Sequence, residues 1–453
     1  MSRTRLTSLD ASFLEVESPT AHMHVGWAAA FSPPEEAARP GFEQLRDFVG
    51  SRLARAPRYR QKLAEDPLGL SEPIWVDDPS FAVSLHVLPA ESGDLHEVVD
   101  AAMSAPLRHD RPLWELHIAE RLDDGRIGVV GKVHHAMVDG IAAVALAALL
   151  LDATPDPTPP EPDDWDPSPE PGDLQLLFEG ALHRVSQVVS LARLPLHVIR
   201  RPARAAELLG TGTRALRAMR TSFTPAPPTP LNRPISPRRH LAWTRRPLEE
   251  LRAIKGRHGA TVNDVLLAAV AGALRRFLER DDATRLKAMV PVSLRATGAE
   301  ADLGNRISFV FVELPCDEPD PVRRLLDVRA AMAERKAAGE PEGAGALLGA
   351  VEYAPRTLKN ALARVAASPR TFNLVVSNIP GPRQPLYMCG CRLEESYPVV
   401  PLADRHAVSI GMTTVADQAC FGVYTSPDAL ARADELAGAL ADAIDELGGR
   451  DRV

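Results

Sequence analysis

Cysteine is scarce in this 453-residue chain. Cys316, Cys389, Cys391 and Cys420 are its four, too few for a disulfide framework at this size. Cys389-x-Cys391 has no second Cys/His pair at zinc-finger spacing, so no metal is expected; the thiols read as reduced, in a cytoplasmic protein. Long apolar runs are missing too. The longest, near 141–151 and 265–274, fall well short of the roughly 20 residues that span a bilayer, so no integral membrane protein is expected. The start, Met1-Ser2-Arg3-Thr4-Arg5-Leu6, has no apolar core of a secretory signal. Positive charge is not in excess: the net charge of −8 argues against a general nucleic-acid binder, which needs a basic surface to neutralise phosphates. There is no Gly-x-Ser-x-Gly elbow, and neither Cys389 nor Cys391 has a local base, which disfavours a covalent acyl-enzyme.

What is present is an ordinary globular composition, 45% hydrophobic and 25% charged, over a length that suggests two domains. The chain centres on Val133-His134-His135-Ala136-Met137-Val138-Asp139-Gly140. An apolar run, 127–133, reads as a buried strand before it, and the Ala/Leu-rich stretch 141–151 reads as a helix after it. Two histidines therefore stand where a strand ends, a place where polar side chains face a crevice. A neutral imidazole there can take a proton from a hydroxyl near neutral pH. A bare His-His pair more often caps or fills a core. Asp139, four residues beyond His135, and Gly140, which gives the chain latitude to turn, shift the preference to chemistry.

In the first part of the chain, 42–53 and 95–103 read as helices and 112–118 as a packed strand with an anchoring tryptophan that supports the histidine strand. Residues 155–173 are crowded with Pro, Asp and Glu and predict an extended or mobile linker. The basic, helix-compatible stretch 174–219 is expected to break at Pro195 and Pro202. It fits a helix lying on an anionic membrane or a bridge between domains. Beyond a second Pro-rich connection the chain alternates again: helices at 248–258, 265–278, 321–336, 347–362 and 427–447, strands at 286–292, 307–314, 372–377, 408–413 and 419–424. The class is α/β with two sheets. Either Thr261 or Asn263 suits the N-cap of the second of these helices.

His-His-x-x-x-Asp-Gly resembles the signature of the CoA-dependent acyltransferase superfamily, which includes chloramphenicol acetyltransferase. Six further segments narrow it: Leu9-Asp10-Ala11-Ser12-Phe13-Leu14, Pro112-Leu113-Trp114-Glu115, Asn263-Asp264-Val265-Leu266, Val290-Pro291-Val292-Ser293-Leu294-Arg295, Gly304-Asn305-Arg306 and Ser377-Asn378-Ile379-Pro380-Gly381-Pro382. In this order they resemble the bacterial wax ester synthase/diacylglycerol acyltransferase family over nearly the whole chain. The resemblance implies two chloramphenicol-acetyltransferase-like subdomains, mixed sheets flanked by helices, with the active site in the crevice between them. The corresponding division is 1–154 for the N-terminal subdomain, 155–239 for the linker and basic connector, and 240–453 for the C-terminal subdomain.

The same resemblance implies direct acyl transfer from acyl-CoA, a co-substrate with no bound cofactor, to diacylglycerol or a long-chain fatty alcohol. His135 is then the general base and His134 its neighbour and wall. Asp139 pairs structurally with Arg295, a reading set against the alternative of an acid behind the base. Asn263 is the candidate oxyanion donor, directly or by orienting the acceptor, against the plain alternative of a helix cap; Asp264 stands beside it. The expected partners are those substrates and an inner-membrane or lipid-droplet surface, without nucleic acid and with oligomeric state open. The rival readings are a condensation-type enzyme using carrier-bound acyl groups and a catalytically silent lipid-surface protein. Asp404-Arg405-His406 and Val415-Ala416-Asp417-Gln418 depart from the family pattern, which touches acceptor and chain-length preference rather than the reaction.

Overall fold

Strands with both faces covered read as continuous apolar runs, and Ile127–His134 is buried at every position. It is one of the inner strands of the first sheet. The computed structural model describes residues 3–34, 38–137, 150–156, 159, 162–199, 224–278, 284–293, 307–340, 343, 354, 356–382 and 384–449. In chain order its elements are β1 (Thr4–Arg5), α1 (Ser8–Val16), β2 (His24–Ser32), α2 (Phe42–Gly50), β3 (Gln61–Ala64), β4 (Ile74–Asp77), β5 (Val87–Pro89), α3 (Leu95–Ser104), β6 (Trp114–Ala119), β7 (Ile127–His134) and α4 (Asp173–Ile199). There follow β8 (His240–Pro247), α5 (Leu248–His258), α6 (Val262–Phe277), β9 (Arg285–Ser293), β10 (Ile307–Pro315), α7 (Pro321–Ala337), α8 (Arg356–Ala366), β11 (Leu374–Asn378), β12 (Tyr387–Met388), β13 (Cys391–Val399), β14 (Val408–Val415), β15 (Gln418–Thr425) and α9 (Ala433–Gly448).

Two six-stranded mixed sheets carry the fold, in the orders β12-β13-β2-β7-β6-β5 and β10-β9-β11-β14-β15-β8; β1, β4 and β3 make a small third sheet. In the first, β7 is antiparallel to both neighbours, pairing His24 with His134 on one side and Trp114 with Val133 on the other. Helices α6, α7 and α9 cover one face of the second sheet. Every residue of α6 from Asp264 to Leu274 is buried, as the expected Ala/Leu/Val helix requires.

The sheets share one core. Met23, Ala28 and Val99 of the first half and Val265, Leu266 and Phe421 of the second belong to a single apolar cluster. At β13 the two sheets meet: a Cβ at Gly422 of β15 would fall on the Pro398 carbonyl oxygen, so only glycine admits so close a crossing.

The structure corrects three expectations. β12 and β13, from within 240–453, complete the sheet built by 1–154, so the C-terminal subdomain as bounded lends two strands to its neighbour. The acidic stretch 155–173 is not a loose tether where it is described. Asp163 forms a forked pair with Arg60, Glu170 pairs with Lys62 at 3.0 Å, the Ser168 N–H donates to Asp77, and Trp165 lies under the Arg60 guanidinium. Its acids find cations on β3 and its flank, and its one large apolar side chain finds a cover. Lastly, α4 continues through Pro195 to Ile199, the proline removing one ladder bond without ending the helix. Residues 200–223, with Arg200, Arg201 and Arg204, lie outside the described residues. So do 141–149 and 344–353, on which part of two expected helices falls. Among the described residues no helix is long and apolar enough to cross a membrane.

Candidate active site

β7 delivers the histidine pair, and its neighbours fix where it stops. The His134 N–H donates to the Leu113 carbonyl (3.0 Å) just ahead of β6, while the His135 N–H donates to the Met23 carbonyl (2.9 Å) just ahead of β2. Met23 is buried and holds a left-handed backbone at φ 48°, a conformation that costs a non-glycine residue roughly 1–3 kcal/mol. That conformation aims its carbonyl at the histidine turn. On the far side, Trp114 is fully buried, donates its indole N–H to the Tyr59 carbonyl (2.7 Å), and stacks on His86. The Pro-Leu-Trp segment thus supports the histidine strand as the sequence predicts.

The two histidines are in opposite situations. His134 is wholly buried. Its Nδ1 accepts the Ala136 N–H at 3.1 Å, which leaves the proton on Nε2, facing Glu17 Oε2 at 3.6 Å. Burial pushes its pKa below the ordinary imidazole value, with Glu17 opposing, so the ring is neutral. His135 is partly exposed and lies flat against Phe13, ring centroids 3.7 Å apart and planes 7° from parallel.

Glu17 and Phe13 were both missed as site residues by sequence reasoning. They sit four apart at the end of α1, on one face. A signal for α1 was available: Thr7-x-x-Asp10 before an apolar run is a helix start, and Thr7 Oγ1 indeed accepts the Asp10 N–H at 3.1 Å. Glu17 is also 3.1 Å from Nε2 of the half-exposed His109. Burial works to raise the Glu17 carboxyl, but the close contact with His109 and the nearby Nε2–H of His134 prevail and hold it at about 2. His24, opposite His134 in the strand register, accepts the Leu107 N–H and is kept neutral by burial.

Of the other expected site residues, Asp139, Gly140 and Arg295 lie outside the described residues. Asn263 and Asp264 begin α6. Thr261 is the N-cap: its Oγ1 accepts the Asp264 N–H (3.1 Å) while Asp264 Oδ2 accepts the Thr261 N–H (2.8 Å). Asp264 is therefore a buried capping partner. Asn263 is not the cap, and among the described residues its half-buried amide makes no hydrogen bond. Of the sequence departures, His406 is buried against Phe372, with both ring nitrogens facing carbonyl oxygens, of Asp404 and Phe372.

Comparison with known proteins agrees in length and order. A family model described as the wax ester synthase/diacylglycerol acyltransferase catalytic domain matches residues 6–266, and the WS/DGAT C-terminal domain matches 303–448. A solved wax ester synthase/diacylglycerol acyltransferase from Marinobacter aquaeolei VT8 is 30% identical, covers 98% of each chain and superposes with a TM-score of 0.68. A Mycobacterium tuberculosis protein provisionally named diacylglycerol O-acyltransferase is 31% identical, over 98% of this chain and 90% of its own length. The first condensation domain of the CDA synthetase shares the fold, with a TM-score of 0.63 at 16% identity over 100% of this chain and 98% of that one.

Proposed function

The chain belongs to the wax ester synthase/diacylglycerol acyltransferase family and is an acyltransferase, and we propose that it esterifies diacylglycerol or a long-chain alcohol from acyl-CoA, with His135 as general base. The observation that carries this reading is the contrast within the pair. His134 is closed off, with Nδ1 committed to Ala136, while His135 is reached from outside at the end of β7. In the transfer, His135 takes the hydroxyl proton as the oxygen attacks the thioester carbon. The new C–O bond forms, the C–S bond breaks, and the proton returns to the departing thiolate sulfur. Asn263, not spent on capping, is the candidate donor to the oxyanion or the acceptor. Asp139 and Arg295 are assigned to structural pairing.

Association with a lipid surface has its own support. On α4, Leu174, Phe178, Leu182 and Val185 are exposed at helical spacing, and on α8 so are Leu358, Leu362 and Val365. Both helices are seated on the loop ahead of β4, through Arg184 to the Leu70 carbonyl and Lys359 to Glu72. Such faces suit the acyl boundary of a membrane or droplet.

One experiment tests both parts. Purified protein with palmitoyl-CoA is offered diacylglycerol or hexadecanol in anionic vesicles, following free CoA and co-sedimentation. We expect acceptor-dependent CoA release, sedimentation with the vesicles, and a loss of about 10²–10⁴-fold in His135→Ala with folding intact. An active His135→Ala protein removes the mechanism; protein left in the supernatant removes the surface reading.

A further inference from the structure

The end of α1 reaches the histidine pair with an aromatic ring as well as a carboxylate. The backbone of His135 is fixed by the Met23 carbonyl, a bond that does not by itself set the plane of the imidazole. Phe13 limits that plane. With planes 7° apart and centroids at 3.7 Å, any substantial rotation of the imidazole drives its edge into the phenyl face. The phenyl face also carries the negative part of the ring quadrupole, which attracts a cation more than a neutral ring. The stack therefore favours the imidazolium over the imidazole.

Phe13 is held from both halves of the molecule. Its helix is capped by Thr7, and Asn360 of α8 donates to Glu15 at 2.7 Å. Lys359 of α8 donates to Ser8 Oγ at 2.8 Å while it pairs with the buried Glu72. A ring presented from so constrained a helix can define an orientation rather than follow one.

We propose that Phe13 is a positioning residue of the acyl transfer, holding the His135 imidazole in one plane and stabilising its protonated form while it carries the acceptor's proton. This rests on the reading of His135 as base. The plain alternative is apolar filling, since Phe13 also packs against both main cores. Filling would be disturbed by ring loss in stability and substrate affinity; positioning is disturbed in turnover.

The test compares Phe13→Leu, Phe13→Met and Phe13→Tyr with wild type and His135→Ala in steady-state transfer of palmitoyl from palmitoyl-CoA to hexadecanol, with a melting temperature for each. We expect kcat to fall about tenfold in Phe13→Leu and Phe13→Met, with both KM values within about twofold, and Phe13→Tyr to keep kcat within about twofold of wild type. Wild-type kcat in either ring-less variant overturns the proposal, as does a Tyr variant as slow as the Leu variant. If Phe13→Leu does not fold, Phe13→Met, unbranched and adaptable in cores, decides alone. An active His135→Ala protein would bring down the base assignment and this inference together. An inactive one beside an unimpaired Phe13→Leu would bring down this inference only.

Discussion

Adjacent histidines with the same intrinsic chemistry end up with different tasks because one faces inward on β7 and the other lies past its end. Burial keeps His134 neutral, with its Nε2–H turned toward Glu17 at 3.6 Å, and Glu17 remains the ionised group between His134 and His109. This has a pH signature. The Glu17 carboxyl is depressed from an ordinary value near 4.5 to about 2, so its stabilising contribution is complete above about 4.5 and disappears as pH falls toward about 2. Glu17→Gln is expected to lower stability by about 1–3 kcal/mol at pH 6–7, typical of hydrogen bonds to a charged group. Urea unfolding at pH 7, 5, 4 and 3 should show the gap between the two proteins closing over that acid range. A gap that is constant from pH 7 to 3 would mean that shape, not charge, is what Glu17 supplies. None of this was legible from the histidine motif itself, because the partner is supplied by a helix more than a hundred positions earlier.

At the scale of elements, α6 shows how a cap and a functional side chain are told apart. By sequence, Thr261 and Asn263 are both candidates for the cap, since either type caps well. The hydrogen bonds assign the cap to Thr261 and Asp264, which releases Asn263. Thr261→Ala should therefore cost about 1 kcal/mol of stability with little effect on transfer, whereas Asn263→Ala should leave the melting temperature near wild type and depress kcat. Melting curves and initial rates on the two proteins check it; an Asn263→Ala protein that is destabilised yet fully active would return that residue to a structural role. The helices were the most legible elements: Leu248–His258 is as expected, and α6 and α7 differ from expectation only at their ends. Their apolar periods are long and uninterrupted. β13 was not legible, although Arg392, Glu394 and Ser396 alternate with buried neighbours. Its mixed polarity carries a strand signal but not the identity of its partner, and the partner lies at the other end of the chain.

For the whole molecule, the halves are joined by more than a shared core. Asp100 of α3 accepts the Leu241 N–H (3.0 Å) and faces His240 Nδ1 (2.6 Å), while His96 stacks on Trp243 and Trp243 on Tyr397. The hydrogen bond to Asp100, the largest influence, raises the His240 pKa above its ordinary value despite burial. The clamp is therefore at full strength below about 6.5 and weakens as pH rises through the raised value. His240→Gln should lower the melting temperature distinctly at pH 6 and much less at pH 9, a difference of about 1 kcal/mol or more. Equal losses at both pH values would exclude a charge-dependent clamp. The α/β class, the two sheets and the strand that bears the histidines could all be read from periodicity. The way the sheets interlock could not, because packing between distant segments leaves no periodic trace in either.

That interlock sets a condition on synthesis. β2 pairs on one side with β7 and on the other with β13, from Gly26 opposite Val399 to Ser32 opposite Arg392. A ribosome that has released the first half has thus made a sheet with a bare edge, and must translate most of the remaining chain before the closing strand emerges. Until then the β2 edge offers its unpaired backbone to any other strand nearby. The scaffold around the histidines is therefore completed only late in translation, and folding intermediates with that edge open are where this chain is most exposed to mispairing.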